Sequence, residues 1–448
     1  MNSKSQAKIV SWSIAGEEVC ASAARISTTQ GDALELFEKA QGNPKNQDLI
    51  GKVLRSGHRS VIEHAVFSIA LQNVSVYVEQ YFIECRLASF TVKSRRYVDF
   101  SGFGYYIPPA LEGPALADYG GYMDGLFSAY QELLELDIPK EDARFLLPYA
   151  FCSNFYCTLN ARELVRLIQS IRSGRGESVP ELLDIARQLA EQLTELFPAL
   201  TEELAEPGQA APPSSAPLYR EKPVWVTEDE AGAAELLAGP AAPGRLLERA
   251  YRLAHPETDN PLSPESLTGA LRPRELEQLS YTFVLSDLSL AGITHLVRHR
   301  MQSVIIPPIQ SVDHSRFILP ETIRNNSAAL AIYQTALTEA NRLGRALCEN
   351  PVLRPYSCYF AVSGNVLDVM TTLNARELML ITRLRTCIRA QWEIRHIATG
   401  MLHLLREHYP ALFRYFGPSC YLTGQCPEGN MSCGQQTEMA ALFGGDSL

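Results

Sequence analysis

The sequence contains no run of about eighteen uncharged apolar residues, the length a membrane-spanning helix needs, and its mean hydropathy is −0.07. A membrane span is therefore not expected. Positive charge is in short supply. Forty Lys and Arg face fifty Asp and Glu, for a formal net charge of −10. That balance excludes a uniformly basic surface for polymeric nucleic acid and leaves only local basic pockets. The N-terminal stretch MNSKSQAKIVSWSIAGEE lacks the apolar core of a secretion signal. Ten cysteines in 448 residues are too few for a disulfide scaffold, with seven scattered and three near the C-terminus. A reducing cytoplasm is the expected compartment. His396, His403 and His408 share the last long helical stretch but do not form a zinc-binding HExxH.

What is present is a repeat. The string LNAREL occurs at 159–164 and again at 373–378, 214 residues on. The same offset sets Glu63 on Glu277, Arg86 on Arg300 and Ser89 on Ser303. Farther on, PAL at 198–200 meets PAL at 410–412 with an offset of 212. Several matches at one offset, spread over most of each half, predict two copies of a unit of roughly 200 residues. The stretch 205–223 is rich in Pro, Ala, Ser and Gly, has no apolar periodicity and reads as a linker. The expected organisation is a first copy over 1–204, the linker 205–223, a second copy over 224–416 and a cysteine-containing tail over 417–448.

The copies share an element pattern. Residues 67–76 and 281–290 alternate and carry β-branched and aromatic side chains, so each predicts a strand. Residues 117–137 and 327–349 predict amphipathic helices. Each LNAREL opens a long helix, with Asn160 and Asn374 as N-caps. The fold class expected is α+β, a mainly antiparallel or mixed sheet flanked by long helices in each of two tandem copies.

The second copy carries Arg298-His299-Arg300-x-x-Ser303, then Asn374-Ala375-Arg376-Glu377-Leu378, Leu384-Arg385 and Ala390-Gln391-Trp392-Glu393-Ile394-Arg395. The first carries Gly57-His58-Arg59-Ser60-x-x-Glu63-His64, Arg86-x-x-Ser89-x-x-x-x-Ser94-x-Arg96, Ala143-Arg144-Phe145-Leu146-Leu147-Pro148 and Asn160-Ala161-Arg162-Glu163-Leu164. Guanidinium forks beside a histidine form a dense cationic site suited to phosphate or to a carbonyl-rich ring.

At these residues the chain resembles the flavin-dependent thymidylate synthases, and the resemblance covers most of both copies. It implies FAD, a deoxyuridine nucleotide as substrate, and methylenetetrahydrofolate and NADPH as co-substrates. It implies that Arg385 polarises the uracil ring. It further implies that Arg298, His299, Arg300, Ser60, Glu63, Asn160, Arg162, Asn374 and Arg376 contact the flavin. Ser94, Arg96 and Arg144 match nucleotide-phosphate ligands, and His295 stands where the family has a nucleotide-contacting Gln. Family members are homotetramers, so two copies per chain imply a homodimer that imitates the tetramer.

Each copy departs from the pattern differently. The first reads Glu84-Cys85-Arg86 where the family has RHR, and SGRGESVPEL at about 173–182 where AQWEI is expected. The second puts Pro308, Gln310 and Cys358 where the first has Ser94, Arg96 and Arg144, and Arg272 where it has His58. His314, Ser315 and Arg316 lie in this remodelled loop as candidate replacements. The losses are complementary, so one composite site is expected, with Ser94 and Arg96 from the first copy and Arg298, His299, Arg300 and Arg385 from the second. Two other readings stand beside it: a flavoenzyme for a different nucleotide or base, and a non-catalytic paralogue that binds nucleotide or flavin. Cys420, Cys426 and Cys433 are weak metal candidates, one thiolate short of a closed zinc site.

Overall fold

The computed structural model describes residues 4–206, 208, 217–311 and 313–444. Residues 207 and 209–216 of the expected linker, Val312 of the remodelled loop and the last four residues of the expected tail lie outside that set.

The first copy runs β1 (Gln6–Trp12), β2 (Val66–Ser75), α1 (Val76–Ile83), β3 (Ala88–Val92), α2 (Gly113–Glu135), β4 (Cys152–Asn160), α3 (Ala161–Ser173) and α4 (Pro180–Leu196). The second runs β5 (Val224–Thr227), β6 (Ala233–Ala238), β7 (Ser280–Ser289), α5 (Leu290–Leu296), β8 (Gln302–Ile305), β9 (Arg316–Leu319), α6 (Ser327–Glu349), β10 (Val366–Asn374), α7 (Ala375–Arg385) and α8 (Trp392–His408). The strands expected from alternation form one residue earlier than read. The helix expected at 117–137 starts at Gly113, and that expected at 327–349 forms over those residues.

Each copy builds a four-stranded antiparallel sheet. The order is β1-β2-β4-β3 in the first and β6-β7-β10-β8 in the second. β5 pairs in parallel with β9 as a separate ribbon. The copies match in detail. Both central strands bulge at the same place, where Asn73 (φ 53°) and Asp287 (φ 55°) take left-handed backbone. Their backbone amides donate to Asn154 Oδ1 (2.8 Å) and Asp368 Oδ1 (3.0 Å). A short polar side chain supplying a local acceptor is what such a bulge requires. Ser75 and Ser289 then cap α1 and α5 by accepting from Val78 N and Gly292 N.

By internal contacts the chain divides into two compact units. The first holds residues 1–221, 308–311 and 328–362, and the second holds 222–307, 312–327 and 363–448. The unit boundary thus crosses the repeat: nearly all of α6 and the loop tip 308–311 belong to the first unit. Within that unit Tyr149 N donates to Ala361 O (2.7 Å), and Pro148 bridges Val362, its own counterpart at the repeat offset. Tyr122 donates to Phe360 O (2.5 Å). Among the described residues, no helix is long and apolar enough to cross a membrane.

Candidate active site

In the second unit, α5 runs into Arg298-His299-Arg300 and then into β8. Gln302 pins this turn by donating to Leu296 O (2.7 Å) and accepting from Thr371 Oγ1 (2.7 Å). The pinning buries His299 and leaves Arg298 and Arg300 exposed on either side. Arg385, at the end of α7, donates from Nε to His299 Nε2 at 3.0 Å. On the ring's other side, His299 Nδ1 lies 3.4 Å from Glu377 Oε1. Burial holds the imidazole below its ordinary proton affinity, against the pull of Glu377 and helped by the charges of Arg385 and Arg298. Glu377 is placed by the cap of α7, since Asn374 Oδ1 accepts from its amide (2.9 Å). Arg376 pairs with Glu277. His295 is buried on α5, one turn before Arg298.

The first unit assembles two further groups. Glu63 pairs with Arg162, as Glu277 does with Arg376, and Ser60 lies on the same short turn, Arg59–His64. Asn160 caps α3 through Glu163 N (3.0 Å). Separately, Arg96 Nε donates to Glu141 Oε2 (2.6 Å), Arg144 Nε to the Glu141 carbonyl (2.9 Å), and Ser94 Oγ accepts from Arg96 N (3.3 Å). Arg96 and Arg144 therefore meet at Glu141, and Ser94 holds the Arg96 amide. The neighbouring Arg95 turns inward instead. It pairs with Glu79, which also accepts from Ser153, and both charges are buried.

Sequence reading missed the glutamate of the AQWEI string in the first copy. Glu393 accepts from Ser289 N and Oγ, both at 2.6 Å. The equivalent Ser75 N donates to Glu181 at 2.8 Å. Glu181 therefore takes the place of Glu393, at the 212 offset that PAL already signalled. Burial pushes its carboxyl above the usual range, against hydrogen bonds from Ser75, Ser5 and Tyr359.

Other candidates are placed less suggestively. Gln310 donates to the buried Tyr77 hydroxyl at 2.7 Å in the first unit. Arg316 pairs with Asp287 (2.6 Å), and His314 and Ser315 are buried. Cys358 is fully buried, which pushes its thiol well up. Glu84, in the place of Arg298, pairs with Arg175, whose guanidinium lies 5.0 Å from the Tyr81 ring centroid. Cys420, Cys426 and Cys433 are free thiols, and no group of three or more His, Cys, Asp or Glu among the described residues could hold a metal.

The family described as thymidylate synthase complementing protein matches residues 8–199 and 249–411. The chain belongs to that family. It carries the family's domain twice. It is 35% identical over 172 residues to the flavin-dependent thymidylate synthase of Geobacter sulfurreducens, covering 38% of this chain and 74% of that protein. It is 34% identical over 187 residues to that of Clostridium tetani, again covering 38% and 74%. Among solved structures, a UMP/dUMP methylase PolB from Streptomyces cacaoi bound with 5-Br dUMP matches at 24% identity. The match covers 47% of this chain and 99% of that one, with a TM-score of 0.39. The relatives' flavin has a suitable donor set here. Two exposed guanidiniums flank a buried imidazole, a combination that suits ring carbonyls and a pyrophosphate.

Proposed function

We propose that the protein catalyses flavin-dependent reductive methylation of dUMP to dTMP, with methylenetetrahydrofolate as carbon donor and NADPH as reductant. The observation that carries this is Arg385 held against His299 beside Arg298 and Arg300, in a chain of this family. Arg385 would present a fixed cation to the uracil ring, a preorganised charge where negative charge develops. Arg298, His299, Arg300, Ser60, Glu63, Asn160, Arg162, Asn374 and Arg376 would hold FAD. Ser94, Arg96 and Arg144 would take the nucleotide phosphate, in competition with Glu141 for Arg96, and His295 would contact the nucleotide. Bound flavin would relay reducing equivalents from NADPH to the one-carbon unit. The copies, 1–204 and 224–416, would contribute to one composite site type. The chain would act as a cytoplasmic homodimer.

A second reading, a flavoenzyme for a different nucleotide or a non-phosphorylated base, draws support from the second copy. There the remodelled Pro307-Pro308 loop, with the Tyr77-bonded Gln310, and the buried Cys358 stand where the first copy has the residues proposed for the phosphate. The test is the visible spectrum of the purified chain with and without FAD, then methyl transfer to dUMP with Arg385→Ala as control. A flavin band with dUMP methylation lost in Arg385→Ala supports the first reading. A flavin band without dUMP methylation favours the second. No band in excess FAD sinks both and leaves the non-catalytic paralogue.

A further inference from the structure

We propose that His299 is a positioning residue for Arg385, and that Glu377 in turn fixes His299 as the tautomer able to do this. The proposal rests on the reading of Arg385 as the cation that meets the uracil ring. It gives His299 a role in addition to the flavin contact proposed above.

The geometry assigns each ring nitrogen a partner. Arg385 Nε–H can only donate, so His299 Nε2 must be the bare, accepting nitrogen. The ring proton then sits on Nδ1, facing Glu377 Oε1. Glu377 is itself set by the Asn374 cap. The order of donation is Arg385 to His299 to Glu377, and it orients the half-buried guanidinium at the C-terminal end of α7. An imidazolium has no lone pair to offer, so protonating His299 breaks the first link. The charged groups bearing on the ring are Glu377 and Arg385 from α7 and the adjacent Arg298, with burial as the largest influence.

The first copy supplies an internal control. At the repeat offset, His299 is replaced by Cys85 and Arg385 by Ile171, while Asn160 and Glu163 keep the same cap. Accepting partner and cation are lost together. The Cys85 thiol is pushed up to about 12 by burial, and Ile171 is fully buried. Glu163, with no imidazole to hold, pairs with Arg166 at 3.1 Å. Arg298 is replaced there too, by Glu84, so the pairing of His299 with Arg385 rests on the geometry of the second copy.

The test has two arms on the full-length chain. In the first, 15N-histidine NMR, assigned by loss of the signal in His299→Gln, reads the tautomer directly. A neutral Nδ1–H ring with a bare Nε2 is expected at pH 7, shifting toward Nε2–H in Glu377→Leu. An Nε2–H tautomer or an imidazolium at pH 7 in the parent overturns the proposal, whether or not the chain is active. In the second arm, His299→Phe fills the ring space without an acceptor. Its kcat for methyl transfer should fall about 10- to 100-fold, the equivalent of losing one hydrogen bond to a charged group. His299→Gln, which keeps an acceptor near Nε2, should recover most of that loss and lack the acid limb this imidazole gives the parent profile. Equal losses in Phe and Gln, or an unchanged acid limb in Gln, overturn the proposal. A parent chain without methyl transfer would instead sink the functional reading, and the NMR arm would still decide the role of His299.

Discussion

Replacing Glu181 by Ala tests the equivalence of Glu181 and Glu393. The carboxylate is fully buried and accepts from Ser75 N (2.8 Å), Ser5 Oγ (2.8 Å) and Tyr359 Oη (2.9 Å). Ser5 keeps a second acceptor, Asn73 O at 3.1 Å. Two buried donors, Ser75 N–H and the Tyr359 hydroxyl, are then left without their acceptor, at about 1–3 kcal/mol each. Relief of the cost of burying the carboxyl offsets part of this, so a loss of about 2–4 kcal/mol is expected. Two compact units in one chain make a single unfolding midpoint ambiguous. Native-state hydrogen exchange read by mass spectrometry avoids this. Protection should fall in peptides covering 66–83 and 180–196 and stay unchanged over 280–296. Glu181→Gln, which keeps one acceptor, should lose about half as much. The pH dependence has a fixed sign. The folded carboxyl holds its proton more tightly than the unfolded one, so this group's stability is present at low pH and is lost as pH rises through the raised folded value. Glu181→Gln removes that slope. A protection loss under about 0.5 kcal/mol, or one spread equally over 280–296, would refute the equivalence.

Arg385→Ala should lower methyl transfer about 10²- to 10³-fold with the flavin band retained, as for removal of one preorganised charge; steady-state kinetics on flavin-loaded protein checks it. Gly292→Ala places a Cβ 2.6 Å from Leu288 Cδ1 and 2.8 Å from Glu393 Oε2. It should destabilise by about 1–3 kcal/mol, read as lost hydrogen-exchange protection in peptides covering 280–296. Glu79→Ala strands the buried Arg95 guanidinium and should cost about 3–5 kcal/mol, while the double change with Arg95→Met should recover much of it. Finally, His299 resists protonation when folded, so its contribution to stability is complete above the ordinary imidazole value of 6.5 and is lost as pH falls below it. Hydrogen-exchange protection over 290–305, compared between the parent and His299→Gln at each pH, should diverge between about pH 7 and 5 through this group.

Much of the fold was legible because its signals are local. Alternation at 67–76 and 281–290 reports a half-buried strand to within one residue, and Asn160 and Asn374 report helix starts, because capping needs only the next three residues. Glu181 escaped notice because its string has lost Ala, Gln and Trp, and two residues of length change hide it from the 214 offset. Only its bond to Ser75 identifies it. Arg95 and Arg96 are indistinguishable as neighbours in sequence. Glu79 draws one inward and Glu141 holds the other half-exposed.

The sequence by itself determined the duplication, the family, the α+β elements and the short list of cationic residues, since each follows from composition, periodicity or a string of neighbours. Tertiary structure alone decided which polar groups meet: Arg385 on His299, His299 on Glu377, Glu84 on Arg175, Arg96 on the Glu141 carboxylate and Arg144 on the Glu141 carbonyl. It also decided that α6 and the loop tip 308–311 belong with the first unit. Apart from Arg144 and Glu141, which are three residues apart, the partners in these contacts lie 45 to 91 residues apart in sequence. Which carboxylate a guanidinium finds depends on burial and strand register, and neither is written in the residues next to it.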